Sequence, residues 1–147
     1  MPYWEFALFT KNVLFPGDCE CPIVEAFFET DLKDEVYEPQ IFGHYIKADD
    51  VNGRNAYVSL NHDGIYGIWY CEDKWMIGHY DEKGQCSGYA YHEEESQCLP
   101  QSWNWWIATN DDWKLAERGL GIRCGNPNEV FHDETGGEGI NEEEAAR

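Results

Sequence analysis

Residues 65–79 read IYGIWYCEDKWMIGH, and this stretch decides the fold. Two short runs of aromatic and aliphatic residues, 65–71 and 74–79, are joined by only two polar residues, Glu72 and Asp73. A two-residue polar link between apolar runs is the mark of a β-hairpin tip, so the centre of the chain is expected to be a tight antiparallel pair. Aromatic and β-branched side chains fit a pleated, half-buried surface.

The same texture extends outward to residues 41–124, where short apolar runs are separated by Gly, Asn and Asp. The spacing predicts strands at 43–47, 55–60, 65–71, 74–79, 88–92, 103–109 and 120–124. Asn52-Gly53 and Asp63-Gly64 are pairs that accept positive φ and so mark turns. The expected fold is mainly β: a small antiparallel meander or open barrel of about seven short strands. No internal repeat with a period of about 20 to 50 residues is visible, which argues against a solenoid or propeller.

Residues 1–40 have a different texture and read as an N-terminal extension. Ile23, Val24, Phe27, Phe28, Leu32 and Val36 fall at helical spacings behind Pro22, so one amphipathic helix is expected near 22–37. Glu38-Pro39 closes it. Residues 125–147 are glycine-rich and acidic with few aliphatics, and read as a disordered acidic tail that buries too little surface to offset chain ordering.

The 147 residues suit one domain with one core. Ten Lys and Arg against 29 Asp and Glu give a formal charge of −19, which repels polyanions. Nucleic acid is therefore not an expected partner, because phosphate binding needs a basic footprint. No apolar run approaches the ~20 residues of a spanning helix, so membrane insertion is not expected. The first residues lack a basic n-region, a clean apolar stretch and a small-residue cleavage site, and do not read as a signal peptide. The even six cysteines point the other way, to disulfides and a secreted or lumenal setting. Six cysteines allow 15 connectivities; within the β region the simplest pairing joins Cys71 to Cys86 and Cys98 to Cys124.

Catalytic motifs are absent: there is no GxSxG, no GxxxxGK[ST], no GxGxxG before a helix and no HExxH. In so acidic a chain a pair such as Glu72 and Asp111 reads as surface charge, so no catalytic carboxylates are assigned. His44, His62, His79, His92 and His132 are scattered singly, and Cys19-Glu20-Cys21 with His44 downstream lacks the second pair a metal site needs. No cofactor and no metal are expected. The candidate binding residues are aromatic. Trp103, Trp105 and Trp106 are three indoles in four residues, and on a strand Trp106 faces away from the other two. With Trp113 and the amide of Asn104 they form a candidate platform for a protein loop or a neutral glycan.

The run NGRNAYVSLNHDGIYGIWYCEDKWMIG over 52–78, then GYAY at 88–91, CLP at 98–100, Trp103, Trp113 and GIRC at 121–124 resembles a small Trp/Tyr-rich β module. That module recurs in multidomain proteins of algae, other protists and animals. Asn55 stands where its pattern has proline, and residues 1–40 and the tail lie outside it. The resemblance implies a β-rich interaction module with no established catalytic residues. The leading expectation is thus a non-catalytic module, as a subunit of a larger assembly, docking a protein partner through a Trp-rich face. The alternatives are a glycan-binding module using the same rings and a small hydrolase with an acid pair.

Overall fold

A computed structural model describes residues 19–28, 35–115, 118–126 and 128. Nine strands are present among them: β1 Ile23–Phe27, β2 Gly43–Lys47, β3 Tyr57–Ser59, β4 Tyr66–Cys71, β5 Lys74–His79, β6 Ala90–His92, β7 Trp106–Ala108, β8 Trp113–Leu115 and β9 Gly121–Cys124. They form one antiparallel sheet in the order β9-β1-β2-β3-β4-β5-β6-β7-β8, curled into a half-barrel. Every neighbour except β9 and β1 is consecutive in sequence, so the chain meanders and its last strand returns beside its first.

All seven expected strands are present, and two more join them. The N-terminal helix is not there: Ile23–Phe27 is a strand held between β9 and β2, with Val24 opposite Cys124 on one side and Tyr45 on the other. Apolar residues at 23, 24, 27 and 28 satisfy a helical period, but β-branched Ile23 and Val24 gain two sheet neighbours by extending. The bridge Cys21–Cys124 fixes this segment beside β9. The rest of the expected helix at 29–34 and nearly all of the expected acidic tail lie outside the described residues.

The hairpin at the centre has the expected tip. Cys71 pairs with Lys74, leaving Glu72 and Asp73 as the loop, with Glu72 at φ 61°. All six residues of β4 are buried, so this strand is covered on both faces. The inner face carries Tyr66, Ile68 and Tyr70, which join Tyr45, Tyr57, Trp75, Ile77, Trp105 and Ile107 in the main core. The outer face carries Gly67, Trp69 and Cys71, and residues 80–88 fold down over it. The Tyr80 ring lies so close to Gly67 that a Cβ there would sit 2.5 Å from it, and Trp69 Nε1 donates to Gln85 O at 2.8 Å. The Cys71–Cys86 disulfide ties this loop to the sheet.

The other two bridges are Cys19–Cys98 and Cys21–Cys124, so the expected pairing of Cys98 with Cys124 is wrong. Cys98 and Cys124 are near in sequence, but β1 lies beside β9 and brings Cys19 to Cys98 and Cys21 to Cys124. Residues 101–104 run beside β9 at the edge of the half-barrel. Asn104 bridges Leu120, and Ile122 N donates to Ser102 O at 3.1 Å.

Two predictions arise from the fold. Asn52 and Gly53 adopt φ 54° and 80° in the turn that joins Val51 to Arg54. No atom lies within 4 Å of a Cβ built on Gly53, so Gly53→Val is resisted by backbone conformation alone. A cost of about 1–3 kcal/mol is expected in a denaturant melt, with Gly53→Asn nearly neutral.

Burial, with Tyr66 as a neighbour, pushes the Tyr45 phenol far up. Burial, and then hydrogen bonding to the Glu38 carboxylate, does the same for Tyr66. Tyr57, Tyr80 and Tyr89 are also raised, chiefly by burial. Folding thus favours the neutral phenols. Their contribution is complete below the ordinary tyrosine value of about 10 and is lost as pH rises above it. Phenolate absorbance is expected to show these tyrosines ionising together with unfolding. Ionisation of all nine near pH 10 with native near-ultraviolet dichroism would contradict the packing.

Candidate functional site

The outer face of the sheet is apolar from β4 to β8, but residues 80–88 cover only the β4 and β5 part. Cross-strand register continues the row: Met76 opposite Tyr91, Tyr91 opposite Trp106, and Trp106 opposite Leu115, with Trp113 opposite Ala108. Residues two apart on a strand share a face, so Trp106 and Ala108, with Trp113 and Leu115, all lie on this side. Tyr91 and Trp106 run parallel, 6.1 Å apart at 10°, and Trp113 meets Tyr91 edge-on at 4.9 Å and 70°. Trp113 is 40% exposed and Leu115 48%, two of the four large exposed hydrophobic residues among the described residues. Contiguous exposed apolar area of this kind is a feature of interaction surfaces.

Of the expected binding residues, the structure brings together only Trp106 and Trp113. Trp105 is fully buried, stacked on the His92 ring at 5.5 Å. Trp103 packs against Phe27 at 4.7 Å, on the β1 and β9 side of the sheet. The two are separated because Trp105 N donates to Trp103 O at 2.9 Å, a tight turn that breaks the strand period assumed for 103–109. Asn104 is exposed, and its carbonyl oxygen faces His92 Nδ1 at 2.6 Å. Tyr91 and Leu115 were missed. The alternation Trp113-Lys114-Leu115 was the available signal, since it places two apolar side chains on one face of a strand.

The nearest arrangement to a catalytic constellation surrounds His92. Its Nε2 lies 3.0 Å from Glu94 Oε1 and 3.3 Å from Ser102 Oγ, while Nδ1 faces a main-chain carbonyl. A nucleophile–base–acid relay needs the serine and the carboxylate on opposite ring nitrogens. Here both reach the same nitrogen, and the contacts instead tie loop 93–104 to the end of β6. Cys71, Glu72 and Cys86 place ligand atoms close together, but the two sulfurs are bonded to each other.

A cavity of about 330 Å³ opens between the Cys19–Cys98 and Cys21–Cys124 bridges, Val24, Tyr57 and Leu99. Of its polar side chains, Gln101 is engaged through its amide oxygen with Cys124 N. Acids flank the aromatic cluster instead. Asp111 and Asp112 stand at the β7–β8 tip, and Glu93, Glu94 and Glu95 follow β6 at the opposite end, all exposed. Lys114, on the other face of β8, pairs with Glu35, which holds its ammonium above the ordinary lysine value.

Fold and site together define a disulfide-linked β half-barrel whose outer face, among the described residues, carries a partly exposed aromatic cluster over β6 to β8. Compared with protein-family models, with curated proteins and with solved structures, the chain matches none.

Proposed function

We propose that this domain is a non-catalytic protein-docking module and that the partner seats on Tyr91, Trp106, Trp113 and Leu115. The observation that carries this reading is the change of cover along one apolar face: loop 80–88 seals it over β4 and β5, whereas among the described residues nothing folds over β6 to β8, where Tyr91 and Trp106 are half-buried and Trp113 and Leu115 exposed. Tyr and Trp with an aliphatic neighbour are the residues around which binding energy concentrates at protein interfaces. The resemblance to a recurrent interaction module agrees with this role.

A glycan platform is less well supported: Tyr91 and Trp106 lie within 10° of parallel, but both are half-buried, and the exposed ring of Trp113 stands at 70° to Tyr91 and does not extend a flat platform. A small hydrolase with an acid pair is less well supported still, because Glu72, Asp111, Asp112 and Glu93 to Glu95 are all exposed rather than gathered in an enclosed pocket.

The test is selection of a displayed library of random linear peptides on the full chain, compared with Trp113→Ala. Binders are expected to lose about 30-fold or more in affinity to the variant. Its stability should stay within about 1 kcal/mol of the parent, since the ring is partly solvated. Binders indifferent to Trp113→Ala would overturn the proposal.

A further inference from the structure

We infer that the partner binds as an extended basic segment that adds a strand to the free edge of β8; this rests on the docking face proposed above. Among the described residues β8 has a neighbour only on its β7 side, and Trp113, Lys114 and Leu115 are all exposed. The register says which main-chain groups remain. Thr109 N donates to Asp112 O, so that pair is hydrogen-bonded, and in an antiparallel ladder hydrogen-bonded and non-bonded pairs alternate. Ile107–Lys114 is then the next bonded pair, whereas Trp113 and Leu115 direct their peptide groups away from β7. Trp113 N–H is satisfied by Asp112 Oδ1 at 2.7 Å. The Leu115 N–H and the carbonyl groups of Trp113 and Leu115 face the open edge.

Sheet edges are ordinarily guarded by a lysine, a proline, a bulge or a covering segment. Lys114 is placed to guard this one, but its ammonium is drawn to Glu35 on the opposite face from Trp113. An added strand would therefore meet a ladder of main-chain groups beside a row of apolar side chains, the two elements of recognition by strand addition.

Charge selects the occupant. Carboxylates stand at both ends of the cluster, and the chain carries −19 overall. A second copy pairing edge to edge would bring Asp111 and Asp112 against a like-charged protein, whereas Lys or Arg side chains on an incoming strand would meet these acids. The ligand class is a peptide segment with apolar residues at every second position and basic residues near its ends.

The test uses peptides selected on the full chain. Expected winners show period-two apolar residues with flanking Lys or Arg. N-methylation of the amides that face β8 should weaken them about tenfold or more, while N-methylation of the intervening amides has little effect. Hydrogen exchange at Leu115 N–H should slow on binding. Winners that need Trp113 but place apolar residues three or four apart and tolerate every N-methylation would overturn strand addition and leave the docking face standing. No Trp113-dependent winner at all would overturn both. A dimer of this chain abolished by Trp113→Ala would put a second copy in the basic partner's place and overturn the inference.

Discussion

Replacing Cys19, Cys21, Cys98 and Cys124 together by serine is expected to leave the domain without a cooperative thermal transition under conditions where the parent is folded. The two bridges span 79 and 103 residues. Loops of that length restrict the unfolded chain by roughly 4 to 5 kcal/mol each, and overlapping loops contribute less than their sum. The loss is still comparable to the roughly 5–15 kcal/mol by which small domains are stable. It is also concentrated in one place. Without these bridges β1 is held between β9 and β2 by its sheet hydrogen bonds, side-chain packing and the exposed Arg123–Glu25 ion pair, and every other neighbour in the sheet is local in sequence. Serine replacement of Cys71 and Cys86 opens a span of only 15 residues. It should cost about 3 kcal/mol, leaving a folded protein with a lower midpoint. If the fourfold variant melted within a few degrees of the parent, the meander alone would hold β1.

Trp105→Ala should be the most damaging single truncation among the tryptophans first considered for binding, at about 3–5 kcal/mol. The ring is fully buried in the main core, and its removal leaves a void there beside the His92 ring. Trp105 Nε1 has no hydrogen-bond partner among the described residues. An unpaired buried N–H costs about 1–3 kcal/mol, so Trp105→Phe, which deletes that donor and keeps most of the ring, should lose much less. Trp69→Ala falls in the same range and should also loosen loop 80–88, whose Gln85 carbonyl loses its donor. Trp113→Ala is the contrast, a binding loss with an almost unchanged melt. Equal stability costs at Trp105 and Trp113 would mean that the division into core and docking face is wrong.

The sheet was legible where neighbours in sequence are neighbours in space. The β4–β5 hairpin follows from two apolar runs and a two-residue link, and the bounds of β2 and β5 agree with the sequence reading. β1 was misread because its apolar spacing suits a helix as well as a strand, and the choice is made by partners about 20 and 100 residues away, near the length at which Cys21–Cys124 closes. β8 was missed because the Trp113-Lys114-Leu115 alternation spans only three residues, all exposed, between acidic and charged neighbours. Alternation is informative only where one face is buried.

The site was half legible for a related reason. Three indoles in four residues drew attention to 103–106, but the tight turn between Trp103 and Trp105 sends one ring to the β9 side, one into the core and one to the outer face. Tyr91 and Leu115 enter the cluster only through register, which a single sequence does not display.

The most direct test of the docking face is a nuclear magnetic resonance titration of the full chain with a selected peptide. The largest shifts are expected at the indole N–H of Trp106 and Trp113, the Tyr91 ring and the Leu115 amide, with the Trp69 and Trp105 indoles unmoved. Shifts centred instead on the cavity beside Tyr57 and Leu99, or around His92 and Ser102, would contradict it.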